Sequence, residues 1–316
     1  MTRFLLKRFA TLVATLVATS VLVFVVLEIL PGDAAQMMLG PDAAPEAVAA
    51  LRAKLGLDRP AVERYLSWVA GLLTGELGVS HAYGSPVAAL IAERLALTVP
   101  LALLAMTLTT VLALAAGVYA AARHRRAGDV GVMAVTQVGI AIPNFWFAIL
   151  LILLFAVNLR WFSAGGFPGW SEGVGPALKA LLLPAASLAV VQAAILARIT
   201  RSALLDVLRE DFVRTARAKG LSRRAALLGH ALRNALIPVV TVMGLQFATL
   251  LSGTIVVESV FYLPGLGRLI FQSISNRDLV VVRNCVMLLA AMVTVVNFVV
   301  DLLYAAIDPR LQPSDA

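Results

Sequence analysis

The stretch "LALTVPLALLAMTLTTVLALAAGVYAAA", residues 95–122, contains no charged side chain. About 20 apolar residues of helix are enough to cross the hydrocarbon core of a bilayer, so this run can span one. Lipid offers no hydrogen-bond partners to the backbone, which favours a helix because a helix pairs its own amide groups. The stretch therefore predicts a transmembrane helix.

Five other runs along the chain have the same character. Four lack charged residues and the first carries only Glu28 near its end; they cover residues 9–30, 130–159, 180–197, 234–257 and 284–300. The mean hydropathy of +0.91 also places the chain among membrane proteins. The first run is longer than the apolar core of a cleaved signal peptide, so we expect a retained anchor. We predict an all-α, polytopic membrane protein with six transmembrane helices.

The distribution of Lys and Arg predicts which side of the membrane each connection faces. With the N-terminus inside, 16 of the 26 basic residues lie on the cytoplasmic side, nine of them between residues 198 and 233. Cytoplasmic loops of membrane proteins carry such an excess, so we expect both termini in the cytoplasm. The same excess explains the net charge of +8, and we expect no nucleic-acid partner.

The limits of the runs divide the chain into three parts. Residues 1–30 hold an N-terminal cytoplasmic segment and the first span, residues 31–94 form an extracytoplasmic loop, and residues 95–316 form the core with the other spans. In the loop, "PEAVAALRAKLGL" and "DRPAVERYLSWVAGLLTGELG" place Pro in the first helical turn and repeat apolar residues at helical spacing. We predict two amphipathic helices, which either only pack on the spans or also contact a partner.

Glycine and proline predict the shape of the remaining outer connections. The loop "RWFSAGGFPGWSEGVGPALK", residues 160–179, suits an irregular interfacial hairpin. The motif "LPGLG", residues 263–267, predicts the end of a helix and a short apolar turn after it, as in a re-entrant or interfacial element. Kinks are expected at the prolines that fall in or beside the runs, namely Pro100, Pro143, Pro184 and Pro238.

Signatures of catalysis and metal binding are missing from the sequence. It contains no GxxxxGK[ST] phosphate-binding loop, no HExxH and no paired-cysteine motif, and His81, His124 and His230 are far apart. Ser187 lacks a GxSxG context. We therefore predict no catalytic residue, no metal site and no cofactor in this chain.

The spans also lack the deep charges that ion-coupled carriers use. Glu28 and Asp301 lie near the ends of their runs. The uncharged polar residues within the runs suit interhelical hydrogen bonds or a hydrated path: Gln137, Asn144, Gln192, Gln246 and Asn297. For a translocation path we name Asn144, Gln192, Gln246 and Glu258.

The stretch "DFVRTARAKGLSRRAALLGHALRNALIP", residues 211–238, is exceptionally basic for this chain, and we call it the basic segment. Polar and apolar residues alternate at helical spacing before Gly220, and Ser222 is a good helix cap. We predict a short helix, a turn at Gly220 and Leu221, and a second helix that leads into the fifth span.

Small and charged side chains alternate in the first half of the basic segment. Ala216 and Ala218 leave room for another protein to approach, and Arg214, Arg217 and Lys219 provide a charged rim. On composition alone, a docking surface and a solvated cytoplasmic connection remain equally open.

The basic segment resembles the coupling loop of permease subunits of bacterial ABC importers, in the branch for dipeptides, oligopeptides and nickel. The generic loop motif is EAA followed by glycine, and the branch typically shows "RTARAKG" and "HALRNA", as here. Arg214, Thr215 and Ala216 stand at the EAA positions before Gly220. In the following I-x-L-P part, His230 and Leu232 stand at the Ile and Leu positions, and Arg233 replaces the Pro.

Further motifs resemble the same branch and occur in the same order along nearly the whole chain. They are "LPGD" (30–33), "LGLDRP" (55–60), "GELGVS" (75–80), "IPNFW" (142–146), "GTIVVESVFYLPGLGRL" (253–269), "NRD" (276–278) and "DPR" (308–310). Their order, together with the basic segment, makes the resemblance specific.

The resemblance implies a type I ABC importer permease fold that forms half of a channel in the bacterial inner membrane. The implied partners are a second homologous permease subunit, two cytoplasmic ATPase subunits that bind ATP and Mg²⁺, an extracytoplasmic solute-binding protein and the lipid bilayer. Residues 201–234 would form the coupling loop. Its ATPase-coupling residues would be Arg214, Thr215, Ala216, Ala218, Gly220, Leu221 and His230.

Similar permeases carry several kinds of substrate. We expect this chain to serve the transport of di- or oligopeptides. The alternative is a permease of the same family whose substrate is a nickel chelate, glutathione or an opine. A self-sufficient channel or secondary carrier is the alternative from a different class.

Overall fold

The computed structural model describes residues 2–29, 36, 39, 40 and 42–307, and the regular elements of this part are helices. In chain order they are α1 (Thr2–Ile29), α2 (Pro45–Leu55), α3 (Ala61–Thr74), α4 (Val87–Ala122), α5 (Ala127–Ala141), α6 (Asn144–Asn158), α7 (Val174–Val207), α8 (Asp211–Ala218), α9 (Arg223–Val260), α10 (Leu266–Ser275) and α11 (Leu279–Ile307). The all-α prediction is confirmed. The motifs at 30–33 and 308–310 lie outside the described residues.

Five of these helices are long and apolar enough to cross a membrane, namely α1, α4, α7, α9 and α11. The sixth predicted span, residues 130–159, is broken: α5 and α6 pass the same test as a pair but meet at an angle of 102°. The break lies at Ile142, whose φ of −85° and ψ of 124° are extended, because the residue before a proline avoids helical geometry. The predicted count of six spans therefore holds when this bent pair is taken as one span.

The other three prolines stay inside helices. Pro100, Pro184 and Pro238 lie within α4, α7 and α9. Each still removes one backbone donor from its helix, and neighbouring helices in a membrane protein compensate for the loss.

Helices α4, α7 and α9 form the centre of the bundle. Their buried side chains share one apolar cluster, which includes Leu101, Leu181, Leu188 and Leu250. Gly117 of α4 shows how closely two of the helices approach, because an added Cβ would lie 2.7 Å from Thr200 Cβ and 2.8 Å from the Ala197 carbonyl oxygen on α7. Such small residues allow the close van der Waals packing that holds membrane helices together.

Helices α2 and α3 confirm the two helices predicted in the first loop. We call residues 42–86 the α2–α3 segment. Trp68 of α3 is buried in a cluster with Val23 of α1 and Met287 of α11. Its Nε1 donates to Asn284 Oδ1 at 2.9 Å, and Tyr65 shares a 2.8 Å hydrogen bond with Ser20 Oγ. The apolar face of α3 therefore packs on the first and last spans.

Two of the sequence motifs meet in a buried joint between this segment and the start of α11. Asp278 of "NRD" is 1% exposed and accepts hydrogen bonds from Ser80 Oγ of "GELGVS" at 2.5 Å and from the Ala82 amide at 3.1 Å. A buried carboxylate needs such donors, so the two motifs hold distant parts of the chain together.

Candidate functional site

The basic segment folds as the sequence predicted. Helix α8 ends at Ala218, the chain turns, and α9 begins at Arg223. Gly220 has a φ of +98°, a left-handed conformation that glycine adopts without strain. Ser222 Oγ accepts a hydrogen bond from the Ala225 amide at 3.2 Å and so caps α9.

Val213 attaches α8 to the rest of the bundle. It is 1% exposed and belongs to an apolar cluster with Ala121 of α4, Leu204 of α7, and Ala226 and Ala231 of α9. The apolar cluster that holds this side chain therefore includes residues near the ends of three long helices. Burial of a valine contributes roughly 1.5–3 kcal/mol, enough to hold α8 in place.

The candidate residues of α8 and its turn are all more accessible than Val213. Ala216 and Leu221 are half-buried, and the others are exposed: Arg214, Thr215, Ala218 and Gly220. Arg214 contacts Asp211 Oδ1 at 3.3 Å, but the two side chains are 76% and 94% exposed. An ion pair this exposed contributes little, so the Arg214 side chain remains able to bind another molecule.

His230 lies on a neighbouring element. It is exposed within a π-helical turn, Ala226–Ala231, at the start of α9, and this turn contacts α8. Its carbonyl oxygen accepts a hydrogen bond from Asn234 Nδ2 at 2.9 Å. Single π-helical turns inside α-helices are frequent at functional sites. The structure thus gathers the seven candidates on α8, its turn and the adjoining π-helical turn.

A buried ion pair near the same end of the bundle was missed by the sequence reasoning. Asp129 of α5 is 3% exposed, and Arg201 of α7 binds both carboxylate oxygens, through Nε at 2.5 Å and Nη2 at 2.7 Å. Asp129 Oδ2 also accepts a hydrogen bond from the Arg125 amide at 2.9 Å, and His124 Nδ1 lies 3.3 Å from the same oxygen. The sequence signal for this pair was a single acid, Asp129, close to several arginines. Its actual partner, Arg201, is 72 residues away in the sequence, so the pairing could not be predicted.

Two of the four path candidates meet between α7 and α9. Gln192 and Gln246 are buried, and Gln246 Nε2 donates to the Gln192 carbonyl oxygen at 3.0 Å. This is an interhelical hydrogen bond of the kind expected from the sequence. Gln246 Oε1 is buried and lacks a hydrogen-bond partner among the described residues. Asn144 lies elsewhere, half-buried at the first position of α6 directly after the break.

The fourth path candidate, Glu258, is fully buried in a polar joint. Its carboxylate accepts hydrogen bonds from Thr98 Oγ1 at 2.7 Å, the Gly267 amide at 2.7 Å and the Arg268 amide at 3.3 Å. The two amides belong to the first turn of α10, where a negative charge is favourable. In this conformation Glu258 joins α4, α9 and α10 and has no exposed surface.

Comparisons with known proteins agree with this architecture. Residues 113–313 match the family described as binding-protein-dependent transport system inner membrane component, and residues 1–102 match its N-terminal family. A Brucella abortus protein provisionally named as a peptide transport system permease is 42% identical over 99% of both chains. The glutathione transport system permease protein GsiC of Escherichia coli K12 is 40% identical over 99% of both chains.

Solved structures show the same fold at lower identity. The MetNI methionine ABC transporter in inward-facing conformations matches with a TM-score of 0.57 and 19% identity, over 69% of this chain and 96% of that chain. The family matches cover nearly the full sequence, and the relatives match along almost their whole length. The chain belongs to the family of inner membrane components of binding-protein-dependent transport systems.

Proposed function

We propose that this chain forms one half of the translocation pathway of an ATP-driven importer of di- or oligopeptides, with both termini in the cytoplasm. The Brucella abortus relative, named for peptide transport and 42% identical, supports the substrate class. The excess of Lys and Arg around the basic segment supports the orientation.

The observation that carries the proposal is the attachment of α8. Val213 shares an apolar cluster with Ala121, Leu204 and Ala231 of three spans, whereas most other side chains of α8 are exposed. A force applied to α8 from the cytoplasm therefore reaches α4, α7 and α9 together. Ala216 and Ala218 let a partner seat closely, and the arginine rim around them offers charge contacts.

The energy source in this proposal lies in other subunits. The sequence has no phosphate-binding loop, so two cytoplasmic ATPase subunits bind ATP and Mg²⁺ and hydrolyse the nucleotide. Their closure moves α8, and α8 moves the spans between outward-open and inward-open arrangements.

Two further partners complete the transporter. A second, homologous permease subunit supplies the other half of the pathway, and the exposed apolar residues of α5 and α6, such as Val135, Val138 and Trp146, suit contact with it or with lipid. An extracytoplasmic solute-binding protein delivers substrate to the face that carries the α2–α3 segment.

The translocation path is assigned to the polar residues of the spans. Gln192 and Gln246 lie between α7 and α9, and Asn144 lies where α5 and α6 meet. Glu258 becomes part of the path only in a conformation in which α10 has moved away from the Glu258 carboxylate.

A bulky substitution at an exposed position of α8 tests the coupling role. Ala218→Trp in the complete transporter, reconstituted in liposomes, should lower ATP-dependent uptake of a labelled tripeptide by at least about tenfold, since 1.4 kcal/mol of lost docking energy is a factor of ten. Ala127→Trp, at an exposed alanine of α5, serves as the matched control and should leave uptake near the unsubstituted rate. Equal uptake in the two variants would show that α8 does not couple ATP hydrolysis to transport.

Glutathione is the second candidate substrate, because the Escherichia coli relative named for glutathione transport is 40% identical over 99% of both chains. Competition decides between the two substrates. If unlabelled glutathione abolishes tripeptide uptake at equal concentration and a second tripeptide does not, glutathione replaces peptides in the proposal.

A simpler measurement tests whether the chain is a self-sufficient channel or carrier. Liposomes that contain this chain without ATPase subunits should show no tripeptide flux. Flux in these liposomes would overturn the importer assignment.

A further inference from the structure

A cavity of about 300 Å³ lies between α1, the α2–α3 segment and the start of α11. Four arginines line it: Arg59, Arg64, Arg277 and Arg283. With Glu28 and Glu76 on the same lining, the charged side chains sum to +2. The remaining lining is mainly apolar and includes Phe24, Leu27, Trp68 and Val280. We call this cavity the arginine cleft.

Two of the four guanidinium groups of the cleft have a hydrogen-bond donor without an acceptor among the described residues. Arg64 pairs with the Glu28 carboxylate. Arg283 lies over the Trp68 ring, 5.5 Å from its centroid, and has no carboxylate within ion-pair distance among the described residues. The Nε atoms of Arg64 and Arg283 are both buried and lack hydrogen-bond acceptors in that part of the chain. Buried charged donors without acceptors are unfavourable, so an anion in the cleft would stabilise them.

The position of the cleft indicates the kind of anion. It lies where two membrane spans end, because Phe24 and Leu27 belong to the last turns of α1, and Leu279 and Val280 begin α11. Further along α1, Val17 and Val21 lie on the same helical face as Phe24 and are 54% and 43% exposed. A molecule with a charged head and an apolar tail can therefore place its head among the arginines and its tail along α1.

We propose that the arginine cleft binds the phosphate headgroup of an anionic phospholipid. The forked donors of arginine match phosphate oxygens, and basic pockets beside membrane helices bind lipid headgroups by this chemistry. The bound lipid holds the α2–α3 segment against α1 and α11. A substrate carboxylate fits less well, because α7 and α9, which carry Gln192 and Gln246, contribute nothing to the lining. The inference does not rest on the proposed import function.

Native mass spectrometry of the purified, complete chain in detergent provides the direct test. Phosphatidylglycerol is titrated as the anionic lipid and phosphatidylcholine as the zwitterionic comparison. We expect phosphatidylglycerol to remain bound at concentrations at which phosphatidylcholine is lost. Equal retention of the two lipids would overturn the proposal.

Substitutions locate the binding. Arg277→Gln changes an exposed residue of the lining, and Arg283→Gln changes a half-buried one. Each should weaken phosphatidylglycerol binding about fivefold, the contribution expected of one arginine near an anionic lipid. Arg160→Gln removes the same charge from an exposed position outside the cleft and should change nothing. Arg277→Gln keeps the test valid if Arg283→Gln fails to fold. Unchanged binding in Arg277→Gln, or an equal loss in Arg160→Gln, would contradict the assignment.

Competition separates the sources of the anion. Inorganic phosphate and a free tripeptide are added in turn to the phosphatidylglycerol complex, and neither should displace the lipid at the lipid's own concentration. Displacement by phosphate would make the cleft a site for free phosphate. Displacement by the tripeptide would make it a substrate site. Either result would overturn the lipid proposal.

Discussion

The two ends of the bundle are held together by different interactions. At the end that carries α10, the buried carboxylates of Glu258 and Asp278 bind donors from several elements. At the end that carries α8, one buried ion pair, Asp129 with Arg201, lies near small apolar side chains that pack around Val213, and the charged residues of α8 face outward. Directional hydrogen bonds fix the first end within the chain. The second end has a structural anchor but leaves its open surface for other molecules.

The largest expected effect follows the removal of the Glu258 carboxylate. Glu258→Ala leaves Thr98 Oγ1 and the Gly267 amide without their acceptor in a buried site. We expect the free energy of unfolding to fall by about 3–5 kcal/mol. The melting temperature in detergent, followed by tryptophan fluorescence, measures the loss. Glu258→Gln keeps one acceptor oxygen and should lose less stability. Equal melting temperatures of Glu258→Ala and the unsubstituted chain would show that Glu258 does not stabilise the joint.

A smaller effect is expected from the ion pair of the other end. Asp129→Asn loses the charge that binds Arg201, whose side chain is 23% exposed and can partly recover water. We expect a loss of about 2–3 kcal/mol, below the range of a fully buried pair. A double-mutant cycle with Arg201→Gln isolates the pair, and its coupling energy should be well above 1 kcal/mol. Additive effects would show that the two residues act independently.

The smallest effect should be local to α8. Val213→Ala removes two buried methyl groups and should lower the stability of the docked helix by about 1–2 kcal/mol. Hydrogen exchange of the α8 amides should accelerate by about tenfold, while exchange in α10 stays unchanged. Phe212→Ala is the neighbouring control, because Phe212 is largely exposed. The same acceleration in both variants would show that Val213 is not the anchor.

Local signals in the sequence predicted the local features of both ends. Gly220 and Ser222 ended and began helices where expected, and α9 ends before "LPGLG" as predicted, but the short apolar turn predicted after this motif is the ten-residue helix α10. The start of the second span was predicted less well. The uncharged run begins at Leu95, whereas α4 begins at Val87 and includes Glu93 and Arg94. Charged side chains near the end of a span do not stop a helix, so an uncharged run underestimates its length.

Contacts between distant parts of the chain could not be predicted in the same way. Asp129 and Arg201 are 72 residues apart, and Trp68 and Asn284 are 216 apart. Periodicity identifies an apolar face but gives no information on which helix covers it. Glu258 was named as a path residue from the sequence, and only the fold reveals the donors that surround its carboxylate.

Helix α9 begins at the turn next to α8 and carries Glu258 near its other end. Its 38 residues span about 57 Å, which makes it a lever that reaches from one face of the membrane to the other. A tilt of about 5° around its midpoint displaces each end by about 2.5 Å at this length. Such a displacement is comparable to the length of a hydrogen bond, so we expect a movement of α8 of this size to pull the Glu258 carboxylate away from the amides of α10.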